Sequence, residues 1–565
     1  MKKSIALVLV LFSVSTFAQK LNWAYPFTSS YILETAQCIA SNGEYFVLYG
    51  DVYKDVDLDV KSSSGEYIDI RSFMACYNQQ GEIQWAYDKN RAMAAAVTGT
   101  GLVYSTGMFS GTIDMDPSEN KADLTLASGG IFVQVLNTDG SYKWAAAAPV
   151  NGQPTNIAVK SNGNAVVIGR TDADFTTTLS DNSQVDLKKG IYLIEFSSNA
   201  KAIGAYSIST PESFSNILSL HIDADDNVFV GGSTGGSTNF GLKGTEVLDT
   251  AFEGYDAFIV KYDKDFNHQW HKIFGDVHTG HPAGWEAVTG IKTGNGKVYA
   301  AGYFTWTTDF DRNNDPGKHQ KIAGDRSQTP DGFIIEYNTN DGAINWVTDA
   351  GTHESIKTNT DVQFMDLVLK DDNLIVSGTM AGGADFDGSE KEFILNTPDG
   401  GGAICIAHYK TDGSFKTAWL IDGALAGERT NGTELLGNGI VTCGTFSNKC
   451  EMDPNGDGLI LQTDSTGLRP EFDNDLFIAS YDLGFTSGIS SIEKKAFATY
   501  PNPINRGETL FLDKGFEQGR YLKIYDMAGK LMLAGKFTNQ VPIGDFNAGT
   551  YILMVENQSI LIMIE

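Results

Sequence analysis

Tryptophan recurs at positions 23, 85, 144, 270, 346 and 419, each time in the same local context. An alternating segment comes first, then a short turn, then the tryptophan strand, as in FMACYNQQGEIQW (73–85) and FIIEYNTNDGAINW (333–346). The wide interval between 144 and 270 holds two repeats, and Tyr206 in Ile203-Gly204-Ala205-Tyr206 stands where its tryptophan would be. A second marker is independent of tryptophan. A turn is followed by a short apolar strand that ends in glycine, in seven copies from NGEYFVLYG (42–50) to GIVTCG (439–444). Self-similarity at this period is the signature of a repeat architecture, and it overrides any reading of isolated segments.

The two ends of the array are incomplete in complementary ways. Leu21-Asn22-Trp23-Ala24-Tyr25 is a tryptophan strand with no copy before it, and FIASYDLGF (477–485) is an alternating strand with no tryptophan strand after it. The expectation is therefore an all-β fold: a seven-bladed β-propeller over 19–485, closed by the N-terminal strand. Closure of this kind hides the strand edges that an open array would expose. Short turns then collect on one face of the ring and long loops on the other. A bulky aromatic at one fixed register reads as packing between blades.

Composition agrees. Glycine at 61 residues and aromatics at 11% favour short strands and tight turns, and 42% hydrophobic residues suffice for a core. The net charge of −29 disfavours nucleic acid and anionic lipid as partners. Residues 1–18 read as a signal peptide: Met1-Lys2-Lys3, an apolar run over Ile5–Phe12, and Thr16-Phe17-Ala18 before Gln19. No later run has transmembrane length. The five cysteines (Cys38, Cys76, Cys405, Cys443, Cys450) are too few for a disulfide scaffold, and their odd number leaves one unpaired in a monomer.

The pieces Gly111-Thr112-Ile113-Asp114-Met115-Asp116, Thr308-Asp309-Phe310-Asp311 and Ala384-Asp385-Phe386-Asp387, with the "GxxxW" strands, resemble the bacterial β-propeller repeats (SBBP-like) of large extracellular proteins. The resemblance spans about 21–485 and implies a fold, not an activity. Residues 486–495 read as a linker. Beyond them, Tyr500-Pro501-Asn502-Pro503, the segment around Asp526, Gly529 and Lys530, and the segment around Gly549 and Tyr551 resemble a type IX secretion C-terminal sorting domain over 496–565. That likeness implies a small β-sandwich, the type IX secretion machinery as a partner, and export across the outer membrane to the extracellular space or the cell surface.

Candidate chemistry is sparse. Asp453, Asn455, Asp457 and Asp464 have spacing suited to Ca²⁺, with a plain Asp/Asn/Gly turn as the alternative. The pairs Asp57/Asp59, Asp114/Asp116, Asp309/Asp311 and Asp385/Asp387 suit cations or, more commonly, loops whose backbone they bond. His278 and His281 lie in a Gly/Pro loop without a third zinc ligand. The long loops of blades four to six carry Trp285, Tyr303, Trp306, Arg312, His319, Arg326 and His353, a set suited to stacking on sugars or gripping a peptide. No nucleophile elbow, zinc-protease motif or phosphate loop occurs. The leading expectation is a non-catalytic binding or adhesion propeller for glycan or protein. The alternatives are an extracellular enzyme acting on polysaccharide or peptide, and a structural surface protein.

Overall fold

The computed structural model describes the chain except residues 1–18, 28–34, 52–55, 60, 62–66, 69–71, 88–91, 211–213, 252–253, 277–283, 312–317, 324–328, 353–359, 390, 398–400, 424–427, 448, 455–458, 464–473, 485–498, 501–502, 513–519, 527–529, 538–539, 545, 556–557 and 565. The described residues are all-β, with no helix. The chain divides into two compact units, 1–485 and 486–565.

Seven antiparallel sheets of at least four strands build the first unit. Six are each made from four consecutive long strands. The seventh takes Arg429–Leu436, Gly439–Ser447 and Asn474–Asp482 from the end of the unit and Lys20–Phe27 from its beginning. Leu21 lies opposite Tyr481, Ala24 opposite Ala479 and Phe27 opposite Leu476, so the two incomplete ends of the array share one sheet. The innermost strands run, in chain order, Thr35–Ser41, Ala94–Val97, Gln153–Val159, Phe214–Ile222, Ala287–Gly294, Asp361–Lys370 and Arg429–Leu436. Each lies against the next, and the last lies against the first. Ser41 Oγ donates to the Leu435 carbonyl at 2.6 Å and Gly437 N to the Gly43 carbonyl at 2.9 Å, tying the first and seventh sheets at that junction.

The tryptophans explain how neighbouring sheets register. The indole N–H of Trp23 donates to Gln79 O (3.1 Å), that of Trp85 to Thr138 O (2.9 Å) and that of Trp270 to Thr339 O (3.0 Å). Each acceptor sits in a short turn of the next sheet. The ring lies on a glycine of that turn held at positive φ: a Cβ on Gly81, Gly140, Gly342 or Gly413 would come within 3.3 Å of Trp23, Trp85, Trp270 or Trp346 respectively. Glycine is required there twice over, for the left-handed backbone and for the close approach. Where Tyr206 replaces tryptophan, Phe266 replaces the turn glycine at φ +61, and the two rings stack at 4.5 Å.

Long connections tie the sheets a second time. The hairpin Ser237–Asn239 with Leu248–Thr250 adds to the outer strand of the preceding sheet through Ser209↔Asn239. Gly275↔Asp309, Gly351↔Asp385 and Asp422↔Glu451 repeat the arrangement. In four hairpins the first strand ends on the first residue of an Asp-x-Asp pair. Asp57, Asp114, Asp309 and Asp385 each accept the backbone N–H two residues on, at 3.0–3.1 Å. The middle residue, such as Leu58 or Phe386, and Met452 in the corresponding Glu451-Met452-Asp453, is buried, and its carbonyl accepts a buried tyrosine hydroxyl: Tyr77, Tyr409 and Tyr481 respectively, at 2.8–2.9 Å. The pairs thus serve the loop backbone, the commoner of the two roles open to them.

In the second unit, a three-stranded and a four-stranded sheet enclose Leu510, Leu522, Ile524, Val541, Leu553 and Ile562. Tyr551 lies opposite Asp526, and its hydroxyl donates to Asn547 O at 2.9 Å. Asp526 Oδ1 accepts Lys530 N at 2.9 Å. Pro503 is exposed, and Tyr500 pairs with Phe511. Pro501, Asn502 and Gly529 lie outside the described residues. Cys76, Cys405, Cys443 and Cys450 are buried, and none of them forms a disulfide.

Candidate functional site

The long-loop ends of the fourth and fifth sheets gather the described candidates. Trp285 is 67% exposed, yet its backbone is fixed. Gly284–Trp285 pairs in parallel with Gly254–Tyr262, Trp285 lying opposite Tyr255. Trp285 N donates to Thr305 Oγ1 at 3.1 Å, and Glu286 N to Tyr255 O at 3.2 Å. Thr305 in turn donates its hydroxyl (2.6 Å) and its backbone N–H (3.2 Å) to Glu286 Oε1. A backbone held by strand pairing and a threonine needs little further ordering when the ring it carries meets a partner.

Glu286 is buried beneath this platform. Burial pushes its carboxyl up to about 8, and the neighbouring charges of Asp256 and Asp276 push the same way. Tyr303 also faces the interior, which corrects the expectation that it offers a ring to a ligand. Burial raises its hydroxyl to about 12, with Glu286 and Asp361 adding to the shift. Trp306 is half-buried and sits at φ +56, a backbone region that bulky residues rarely adopt; its carbonyl accepts Ala323 N at 2.6 Å. The half-buried His319 offers its carbonyl to Phe310 N at 3.3 Å. Arg312, Arg326 and His353 lie outside the described residues. Trp285, Thr305 and Glu286 are thus joined directly, with Trp306 adjacent in sequence; Glu286 and Thr305 escape sequence reasoning because nothing in a lone Glu or Thr marks a support.

The cation loop is described only in part. Asp453 N donates to Glu451 Oε1 at 3.2 Å, while Asn455, Asp457 and Asp464 lie outside the described residues. Among the described residues no group of three His, Cys, Asp or Glu is arranged to hold a metal ion. His268 Nε2 meets His271 Nδ1 at 2.9 Å, and His271 Nε2 meets Asp249 at 3.3 Å while stacking on Phe240. Burial, with His271 second, lowers His268 to about 4. His278 and His281 lie outside the described residues.

The innermost strands line a cavity of about 610 Å³ that the sequence did not single out as charged. At one ladder position the strands carry Ala40, Ala96, Ala158, His221, Lys292, Val368 and Glu434. Lys292 Nζ stands 3.6 Å from Glu434 Oε1, and the Asp366 carboxylate accepts Thr433 N at 3.0 Å. Burial raises both carboxyls, and Lys292 opposes it. His221 is held to about 3 by burial and then by Lys292, and its Nε2 meets Thr293 Oγ1 at 2.8 Å. The only sequence signal was a titratable residue at a position that is small or apolar in the other copies.

Residues 498–564 match the family described as "Secretion system C-terminal sorting domain". No curated protein matches the chain. Among solved structures it is similar to a fungal alcohol oxidase of the AA5 family in complex with copper, with 8% identity over 97% of this chain and 99% of that one and a TM-score of 0.37. It is also similar to a protein of unknown function from Bacteroides caccae (10% identity, 59% and 94% covered, TM-score 0.27). A third likeness is to PorZ, a bacterial surface component of the type IX secretion system of Porphyromonas gingivalis (11%, 94% and 82%, TM-score 0.21). At such scores nothing about the chemistry of this chain follows from them. The sorting domain does set a destination: the chain is exported across the outer membrane, to the cell surface or the extracellular space. No helix among the described residues is long and apolar enough to cross a membrane.

Proposed function

We propose that the first unit is a seven-bladed β-propeller that acts outside the cell as a non-catalytic binding or adhesion module, preceded by a signal peptide over 1–18 and carried out by the sorting domain over 496–565. Its ligand is a glycan or a protein surface, met through the long-loop face around Trp285. One observation carries this reading: a 67% exposed indole stands on a backbone fixed by strand pairing and by Thr305. Exposed aromatics on rigid supports are typical anchors of recognition surfaces. Beneath it, Glu286 is sealed from solvent and bonded to Thr305, so it supports the platform and has no route to a substrate.

The test is a glycan array and a protein-binding screen run beside hydrolase and lyase assays, on the full chain and on Trp285→Ala. Saturable binding that falls at least about tenfold in Trp285→Ala, without turnover and without loss of melting temperature, is expected, since truncating a hot-spot aromatic costs upwards of about 2 kcal/mol. Turnover by the parent chain sinks the non-catalytic reading. Undiminished binding by Trp285→Ala moves the site elsewhere.

A further inference from the structure

One junction of the ring breaks the repeat, and it breaks it with several residues at once. Between the third and fourth sheets, Tyr206 and Phe266 stand where Trp23, Trp85, Trp270 and Trp346 each meet a turn glycine. Phe266 holds φ +61, although glycine would occupy that turn without strain. Asp226 (φ +64) and Lys243 (φ +56) border the same spot. Three of the eight described non-glycine residues at positive φ therefore meet in one place, and strain concentrated in this way marks functional sites. What they border is an open pocket of about 380 Å³ on the short-turn face, at the opposite ends of the strands from Trp285.

The pocket has an aromatic flank and a polar rim in which several of the charged groups are already hydrogen-bonded. Lys160 Nζ donates to Glu195 Oε1 (2.8 Å) and to Lys264 O (2.9 Å), and lies 4.3 Å from the centre of the Phe266 ring. Asp226 accepts the backbone N–H and the hydroxyl of Ser161, at 2.6 and 2.7 Å. Lys243 donates to the Asp265 carbonyl and stands 5.9 Å from the Tyr206 ring. The groups left to a ligand are the Tyr206 hydroxyl, the Asn162 amide nitrogen, the Lys264 ammonium and the Asp265 carboxylate, all in the lining and none hydrogen-bonded to the described residues. Gly204 leaves room for that hydroxyl, since a Cβ there would lie 2.9 Å from it.

A cluster of carboxylates would call for a cation, and a cluster of free ammonium groups for an anion. This pocket offers one of each, the Asp265 carboxylate and the Lys264 ammonium, so its open charges balance. It offers spaced donors and one hydroxyl beside apolar ring surface, at the small end of ligand-pocket volumes. We infer that it is a saccharide subsite for a neutral sugar ring, separate from the Trp285 face and independent of the role proposed for that face. The junction gave up its tryptophan to keep this space open.

The test restores the repeat. In Tyr206→Trp/Phe266→Gly the indole refills the space as it does at Trp85 and Gly140, so the variant closes the pocket while keeping the packing of its neighbours. Neutral monosaccharides and their disaccharides (glucose, galactose, mannose, N-acetylglucosamine) are titrated into the full chain by calorimetry and saturation-transfer NMR. Binding by the parent chain, lost at least tenfold in the restored variant and weakened several-fold in Asn162→Ala and Lys264→Ala, is the expected result. The two single variants touch exposed groups and keep the test decisive should the double variant fold poorly. No saccharide binding by the parent chain, binding of charged sugars only, or affinity indifferent to Asn162 and Lys264 overturns the proposal.

Discussion

Replacing Gly140 by alanine isolates what holds one sheet against the next. Gly140 sits at φ +80, and a Cβ there would lie 2.8 Å from Cγ of Trp85, whose indole N–H donates to Thr138 O in the same turn. Two costs add. Forcing an L-residue into the left-handed region costs about 1–2 kcal/mol. Displacing a packed ring costs about 1–3 kcal/mol more, so Gly140→Ala should destabilise by about 2–5 kcal/mol. Gly296 supplies the control: it sits at φ +72 with nothing within 4 Å of a Cβ, so Gly296→Ala should show the backbone cost alone. A cycle with Trp85→Ala completes the design, because without the indole Gly140→Ala should fall to the cost of the control. Urea unfolding followed by circular dichroism gives the midpoints, compared only where the slope is unchanged. If Gly140→Ala costs no more than Gly296→Ala, or if the cycle is additive, tryptophan-on-glycine contact is not what registers the sheets.

Other perturbations probe the closure and the buried carboxyl. Ala24→Pro puts a proline in the middle of the strand opposite Ala479 and should lower the melting temperature; light scattering should then show self-association through the freed edge of Asn474–Asp482, and a variant that stays monomeric and equally stable would refute the role of that strand. Glu286→Gln tests the raised carboxyl. A folded pKa of about 8 against an ordinary 4.5 means that the stabilising contribution is full below about 4.5 and is lost as pH climbs through 8. The glutamine variant should therefore gain on the parent chain between pH 5 and 8, by up to a few kcal/mol at about 1.4 kcal/mol per unit, and the gain should level off above 8. A melting difference independent of pH would show that Glu286 is ionised throughout.

Closure was legible because it rests on covalent order. Trp23 with no strand before it and Tyr481 with no tryptophan strand after it leave one economical pairing, and Leu21 opposite Tyr481 is that pairing. The Asp-x-Asp loops were legible in chemistry but not in purpose. A short carboxylate at a strand end bonds its own backbone wherever the chain goes next, but only three dimensions reveal that Phe386 O meets Tyr409 or that Asp385 docks on Gly351 of the preceding sheet. The candidate sites were hardest to read. Exposure cannot be inferred from residue type, so Trp285 and Tyr303 looked alike, while one stands in water and the other is sealed against Glu286. The same holds for the cavity charges: Lys292, Asp366 and Glu434 lie far apart along the chain, and only the ring of innermost strands brings them together. Tyr206 is the instructive exception. Its departure from the repeat was visible in sequence as a missing tryptophan, yet its meaning needed the partner substitution at Phe266, because a break in one register is noise until the residue it packs on has changed to match. In a repeat fold, then, the functional signal to seek is a pair of matched departures across one junction, since the physics of packing makes either change alone costly.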